Sequence, residues 1–186
     1  MTDYHLKTGG KRLRALLTLE TAKLTGYEGE KRDINLAACV ELIHSATLLH
    51  DDVIDESKLR RGRDTANALW GNDASVLVGD FLFARAFELM VETGNLSVLM
   101  QLSRASARIT EGEIKQMTIA GVPDTPAEDY LDVIRNKTAI LFAAAIATGA
   151  EVAEASPPII EAAHEYGLQL GMAFQIMDDA MDYSLS

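Results

Sequence analysis

The acidic pattern D-D-x-x-D occurs twice in this chain of 186 residues, at residues 51–55 and at residues 178–182. Each copy follows a long apolar segment with the composition of a helix. In an α-helix, the first and fifth positions of such a motif lie on one face, so each copy places two carboxylates side by side. A helix face that is apolar and then abruptly acidic indicates a cavity between helices with a charged mouth.

Like charges at this spacing repel each other and destabilise a helix, so the two motifs require a compensating cation. Hard oxygen ligands on two facing helices suit Mg²⁺, which shares its coordination shell with water and substrate phosphates. The alternative interpretation is a solvated acidic helix face, which is the usual explanation for one isolated motif. Two copies, each after an apolar run, favour the metal site and predict a diphosphate ligand.

The composition predicts a single all-α domain over residues 1–186. Apolar residues make up 48% of the chain, which is enough for a core, and only four prolines are present. Helix-forming residues dominate the long segments, and no convincing alternating strand pattern is found. Helices are predicted over residues 11–24, 74–91 and 96–120. Another helix, capped by Asp33, carries the first motif, and two more begin at Pro126 and at Pro157. A loop is predicted over residues 57–67.

The charge and cysteine content exclude several classes of protein. The net charge of −11 argues against nucleic acid as a partner, because a phosphate backbone requires a basic surface. The single Cys39 cannot form an internal disulfide and is expected to fill the core, which predicts a cytoplasmic location. The chain has no run of 18 or more apolar residues, so no membrane-spanning helix is expected.

A basic segment near the N-terminus is a candidate anion site. A glycine pair at residues 9–10 opens a predicted helix start in which Lys11 and Arg14 lie one turn apart. Backbone N–H groups at a helix N-terminus bind anions, whereas basic side chains there oppose the helix dipole. A bound anion would therefore explain this composition.

Other basic residues lie close to the first motif or interrupt an apolar helix. Arg60 and Arg61 follow the motif and could bind phosphate oxygens bidentately. His44 precedes Asp51 by two helical turns on the same face. Lys137 interrupts an apolar helix and could reach a metal-bound phosphate. Each residue also has an ordinary explanation, since loop arginines are usually solvated, a core histidine is usually satisfied and a lysine can extend its ammonium group to the surface.

Six segments occur in an order that carries family information. In chain order they are GGKRLR at 9–14, LIHSATLLHDDVIDES at 42–57, LRRG at 59–62, GD at 79–80, KT at 137–138 and GMAFQIMDDAMD at 171–182. Together they resemble the trans-prenyltransferases, or polyprenyl diphosphate synthases, and most closely the long-chain octaprenyl and decaprenyl diphosphate synthases. The resemblance covers nearly the whole chain and implies the isoprenoid-synthase fold, an all-α helical bundle around a central cavity.

The resemblance also implies a reaction and a metal. The family condenses isopentenyl diphosphate with an allylic diphosphate and extends a trans-polyprenyl chain, here expected to serve as a quinone side chain. Three Mg²⁺ ions are expected to bind together with the diphosphate. The implied metal ligands are Asp51, Asp55 and Asp178, which count with Lys137 as catalytic residues, and supporting roles fall to Asp52, Asp179 and Asp182.

The same resemblance assigns the substrate contacts to two groups of residues. The residues expected to hold isopentenyl diphosphate are Lys11, Arg14, His44 and Arg61. The residues expected on the allylic diphosphate side are Arg60, Lys137, Thr138 and Gln175.

The resemblance also leads to expectations about the length of the prenyl product and about the oligomeric state. Ala46 is the fifth residue before the first motif, where short-chain relatives often carry Phe or Tyr, so a long product is expected. A homodimer is expected as well, because residues 74–120 are more apolar than one small core requires. The chain departs from the family at Ala15 and Leu16, which replace the usual proline, and it is expected to lack the family's N-terminal and C-terminal helices.

Three alternatives remain open. A short-chain farnesyl or geranylgeranyl diphosphate synthase would share the same motifs. A non-catalytic subunit of a heteromeric synthase generally has degraded aspartate motifs, and both motifs are intact here. A terpene cyclase shares the fold and the ionisation chemistry, but it has no use for an isopentenyl diphosphate site.

Overall fold

The computed structural model describes residues 10–184, and it confirms the predicted all-α fold. The helices are α1 Leu13–Leu24, α2 Arg32–Ile54, α3 Ala66–Trp70, α4 Asn72–Glu92, α5 Leu96–Ile119, α6 Ala127–Ile134, the π-helix Arg135–Ala139, α7 Ile140–Val152 and α8 Pro157–Ser184. Two short antiparallel strands, β1 Leu59–Arg60 and β2 Arg63–Asp64, form a hairpin within the predicted loop.

The structure corrects the predicted starts of two helices. Asp33 does not cap α2, because the helix begins at Arg32 and Asp33 lies in its first turn, where a negative charge favours the helix dipole. Helix α1 begins at Leu13 rather than at Lys11, after Arg12 in a left-handed conformation with φ of 45°. Lys11 therefore precedes the helix, and it is not one helical turn from Arg14.

Helix α7 is the centre of the bundle. Every residue from 141 to 150 is buried, because α7 packs against α1, α2, α5 and α8. Its segment Ile140–Val152 contains no charged residue before Glu151, so all of its sides can be covered by apolar surfaces. Much of the core lies around it, with Leu36, Val40, Ile43, Leu102 and Leu141 among the buried members of one cluster.

Close backbone contacts between helices occur at glycines. A Cβ atom on Gly167 would lie 2.7 Å from Cα of Ala143, and one on Gly171 would lie 2.5 Å from Cα of Ala139. These distances are shorter than side chains tolerate, so only glycine allows α8 to approach α7 and the end of the π-helix this closely. The contact at Gly171 matters for the site, because α8 carries the second aspartate motif.

Cys39 is completely buried, as expected for a core residue. Its thiol donates to the carbonyl oxygen of Ala86 at 3.4 Å, and burial raises the pKa of the thiol to about 12. Within residues 10–184, none of the helices has both the length and the apolar character needed to cross a membrane.

Candidate active site

The first aspartate motif lies at the C-terminal end of α2. Asp51 and Asp52 are buried, with exposed fractions of 9% and 2%, whereas Asp55 follows the last residue of the helix and is exposed. Burial of two adjacent carboxylates is unfavourable unless each finds a partner. Asp51 lies beside Glu113 and Lys137, whereas Asp52 is paired with Arg60.

Asp51 belongs to a buried cluster that sequence analysis did not identify. Glu113 of α5 and Lys137 of the π-helix lie beside it, and Nζ of Lys137 is 2.6 Å from Oε1 of Glu113. Burial raises the pKa of Asp51 from its ordinary value near 3.8 to about 7, and the negative charge of Glu113 adds to the rise. The Lys137 ammonium opposes the rise, while Asp55 and a hydrogen bond with Glu113 add to it.

Asp52 is instead neutralised by Arg60. Nε and Nη2 of Arg60 both donate to Oδ1 of Asp52, at 3.0 and 2.8 Å. This pair anchors strand β1 to the end of α2. The predicted role of Arg60 on the allylic diphosphate side stays a prediction, and the structure shows that its guanidinium is paired with Asp52.

Arg14 and His44, two of the predicted substrate residues, are in direct contact. Nη1 of Arg14 lies 3.2 Å from Nε2 of His44, and the guanidinium lies 4.2 Å from the centroid of the Phe142 ring. A guanidinium can only donate, so Nε2 of His44 accepts in this contact. Burial lowers the pKa of Arg14 to about 10, against the opposing charge of Glu41, and the guanidinium stays protonated at neutral pH.

Arg61 lies against the basic N-terminal segment. Its Nη1 atom would be 2.9 Å from a Cβ placed on Gly10, so the guanidinium fits against this glycine because no side chain is present. Lys11 is the next residue in the chain and is exposed. Gly9, which completes the predicted glycine pair, lies outside the described residues.

The second aspartate motif is exposed on α8, and one of its members is tightly held. Nε2 of Gln175 donates to Oδ1 of Asp179 at 2.8 Å, and the Tyr130 hydroxyl donates to Oδ2 at 2.6 Å. The Thr138 hydroxyl in turn donates to Oε1 of Gln175 at 2.9 Å. Thr138 and Gln175, both predicted on the allylic diphosphate side, are therefore hydrogen-bonded to each other.

The two motifs meet at the π-helix. Lys137 binds Glu113 beside Asp51, and the next residue, Thr138, binds Gln175 beside Asp179. Two consecutive side chains thus connect the acidic ends of α2 and α8.

The donor set fits Mg²⁺ shared with a diphosphate. Asp51 and Glu113 are two buried acids with one ammonium group between them, and oxygen ligands suit this ion. In the part of the chain that the structure describes, no three His, Cys, Asp or Glu side chains are close enough to hold a metal by themselves. Mg²⁺ usually retains water and phosphate ligands, so Asp51, Asp55 and Asp178 remain the predicted protein ligands.

The sequence carries a signal for Glu113 but none for Tyr130. In α5 the buried positions 98, 102, 105 and 109 repeat at helical spacing, and residues 112–113 continue that face, so an acid on it was a detectable signal. Tyr130 gives no such signal, because its partner Asp179 is 49 residues away.

The fold and the site together define an all-α protein with two acidic clusters beside a buried basic group. The sequence profile of the polyprenyl synthetase family matches residues 1–186, and the chain belongs to this family.

The chain is similar to several long-chain synthases. The chain is 47% identical over 181 residues to the octaprenyl diphosphate synthase of Escherichia coli, covering 97% of this chain and 56% of the relative. It is 45% identical over 184 residues to an all-trans-nonaprenyl-diphosphate synthase (geranyl-diphosphate specific) of Rhodobacter capsulatus, covering 99% and 56%. The chain thus spans about half the length of these relatives.

A solved structure is closely similar as well. The decaprenyl diphosphate synthase from Rhodobacter capsulatus superposes with a TM-score of 0.95 at 54% identity, over 98% of this chain and 56% of that one. The all-α fold predicted from the sequence is thereby matched to an experimental structure of the same family.

Replacing Glu113 with Gln tests the buried acidic pair. The raised pKa of Asp51 means that the folded protein binds this proton more tightly than the unfolded chain, so stability falls as pH rises from about 4 to about 7. Glu113→Gln removes the neighbouring charge and should make this fall smaller. The measurement is the free energy of unfolding between these pH values in buffer without divalent metal.

The matched control is Glu111→Gln, which removes an exposed carboxylate from the same helix. This variant should keep the pH profile of the unmodified protein. Identical profiles for the two variants would contradict the coupling between Asp51 and Glu113.

Proposed function

We propose that the protein is a Mg²⁺-dependent polyprenyl diphosphate synthase, which condenses isopentenyl diphosphate with an allylic diphosphate. The observation that carries this proposal is the convergence of both aspartate motifs on Lys137 and Thr138. Acidic groups for a metal–diphosphate complex and a cation for phosphate oxygens are then present in one place.

The basic side of the site supports a second diphosphate. Arg14 and His44 are in contact, and Nε of Arg14 is buried with no hydrogen-bond partner among the described residues. A phosphate oxygen would satisfy that donor, and Lys11 and Arg61 are the other proposed contacts. Two diphosphate sites side by side provide the proximity that a bimolecular condensation needs.

In the proposed reaction, the bond between the allylic carbon and the diphosphate oxygen breaks, and the electron pair leaves with the diphosphate. The double bond of isopentenyl diphosphate attacks the resulting carbocation, and loss of a proton restores a double bond in the longer chain. Bound Mg²⁺ supplies positive charge that stabilises the departing diphosphate. Lys137 binds the same phosphate group, and Arg14 and His44 orient the attacking substrate.

The proposal extends to a long product, for a quinone side chain, and to a cytoplasmic location. The octaprenyl and nonaprenyl names of the relatives support the length. The short-chain alternative keeps the same chemistry and differs only in the tail site. A non-catalytic subunit is disfavoured, because the groups around both motifs are intact and mutually bonded.

A homodimer is also part of the proposal, and α4 offers the surface for it. Leu77, Phe81 and Val91 lie on this helix with exposed fractions of 68%, 55% and 65%. Their spacing of four and ten residues places them within about 80° of one another around the helix. Glu88, which is exposed and paired with Arg85, lies on the same face. Exposed apolar side chains grouped in this way are suited to burial against a second copy of the chain.

The first prediction of this proposal concerns turnover. The whole protein should incorporate radiolabelled isopentenyl diphosphate into a polyprenyl product in the presence of Mg²⁺, and Asp51→Ala or Asp178→Ala should abolish incorporation because each removes a proposed metal ligand. Asp124→Ala, in an exposed turn, serves as the control and should retain full turnover. Near-normal turnover in both Asp51→Ala and Asp178→Ala would contradict the proposed role of these residues as metal ligands.

The second prediction concerns assembly. The whole protein should sediment as a dimer at micromolar concentration, and Phe81→Glu should shift it towards monomer by placing a charge in the apolar interface. Leu24→Glu, which changes an exposed residue at the end of α1, should leave the dimer intact. A monomeric unmodified protein would refute this part of the proposal.

The third prediction concerns product length. Ala46 is fully buried, in a cluster with Leu49, Ala66 and Leu82. A Tyr ring there must displace its neighbours, which costs about 1–3 kcal/mol, and we expect it to narrow the proposed tail site and shorten the products. Chromatography of the products is the measurement, and Ala38→Tyr on the exposed side of α2 is the control. Unchanged products in a folded Ala46→Tyr variant would remove Ala46 as a determinant of length.

A further inference from the structure

Asp179 is held on both of its carboxylate oxygens. Gln175 occupies Oδ1 from one turn earlier on α8, and Tyr130 of α6 occupies Oδ2 at 2.6 Å. The bond from Tyr130 is short, and its acceptor is charged, which makes it stronger than a hydrogen bond between neutral groups. Both oxygens therefore have protein donors before any metal binds.

The part of α8 that carries the second motif makes few packing contacts with the other described residues. No residue of α8 after Met172 is buried in the part of the chain that the structure describes. Beyond that residue, the ring of Phe174 contacts Phe142, with ring centroids 5.4 Å apart. Within residues 10–184, the polar bonds of Gln175 and Asp179 and the contact of Phe174 join this end of the helix to the rest of the bundle.

Tyr130 is itself fixed in place from the other side. Nζ of Lys115, on α5, lies 2.8 Å from Oδ1 of Asp129 and 2.8 Å from Oδ2 of Asp132. These two acids flank Tyr130 in the first turns of α6, so Lys115 secures the helix that presents the tyrosine. Helix α6 therefore contacts α5 through Lys115 and α8 through Tyr130.

Helix geometry separates the roles within the motif. Asp178 and Asp182 lie about 40° apart around the helix, whereas Asp179 is turned about 100° from Asp178 and about 60° from Asp182. A donor on Asp179 can therefore fix the rotation of the helix and leave the face of Asp178 and Asp182 available to a metal–diphosphate complex.

We propose that Tyr130 is a positioning residue for the second aspartate motif, acting through Asp179 to set the orientation of Asp178 and Asp182 toward the allylic diphosphate. This inference rests on the proposed function, because it deepens the description of the same site. It assigns Asp179 a structural role in the site and leaves the metal-ligand role to Asp178, with Asp182 in support.

The Tyr130 hydroxyl keeps its proton, and so remains a hydrogen-bond donor, at neutral pH. Burial raises its pKa to about 12, and the hydrogen bond and negative charge of Asp179 add to the rise. The phenol therefore stays protonated at neutral pH, and the bond to Asp179 persists.

The test is Tyr130→Phe in the whole protein, which removes only the hydroxyl. Loss of this solvent-exposed hydrogen bond should raise KM for the allylic diphosphate and the Mg²⁺ concentration for half-maximal activity by roughly five- to tenfold. KM for isopentenyl diphosphate should change less than twofold, because the Arg14 and His44 contacts are untouched. A general loss of stability would not separate the two substrates in this way.

The control is Tyr166→Phe, an exposed tyrosine earlier on α8, which should leave all three constants unchanged. The double variant Tyr130→Phe with Asp179→Asn should be no worse than Asp179→Asn alone if Tyr130 acts through Asp179. Additive losses, or equal rises in both KM values, would overturn the proposal.

A second readout keeps the inference separate from the proposed function. Calorimetric titration with inorganic pyrophosphate and Mg²⁺ should show weaker binding to Tyr130→Phe than to Tyr166→Phe by a similar factor, whether or not the protein turns over. Equal binding by the two variants would refute the positioning role. An inactive unmodified protein with the expected binding difference would refute the proposed function and leave the role of Tyr130 supported.

Discussion

The π-helix Arg135–Ala139 is the constraint on which the site depends. In it, Lys137 and Thr138 are consecutive residues that bond toward opposite acidic clusters, one through Glu113 and the other through Gln175. The packing around them is tight on both sides. A Cβ on Gly112 would lie 2.7 Å from the backbone nitrogen of Lys137, and one on Gly171 would lie 2.5 Å from Ala139. Two glycines therefore allow α5 and α8 to meet this segment.

The two buried aspartates of the first motif differ in how their charges are balanced. Asp52 and Arg60 form a compact pair in which the acid is almost completely buried, and nothing further is needed to balance it. Asp51 and Glu113 share one ammonium group, and burial, followed by the negative charge of Glu113, raises the pKa of Asp51. Asp52 therefore stabilises the end of α2, whereas the adjacent Asp51 is suited to binding a cation.

The aromatic rings connect the central helix to the basic side of the site. Phe142 of α7 packs under the Arg14 guanidinium at 4.2 Å and contacts Phe174 of α8. The same ring therefore supports a buried cation and the helix of the second motif. Residues 141–150 of α7 are all buried, and the helices that carry the charged groups pack against it.

The sequence by itself determined the helices, the two motifs, the basic residues around them and the family, because these depend on local composition and ordered spacing. It also carried a signal for Glu113, an acid on a buried face. Only the tertiary structure decided that Asp52 pairs with Arg60, that Lys137 meets Glu113 and that Tyr130 holds Asp179 across 49 residues. Helical periodicity shows which face of a helix is buried, but the partner on that face depends on how closely whole helices can approach one another.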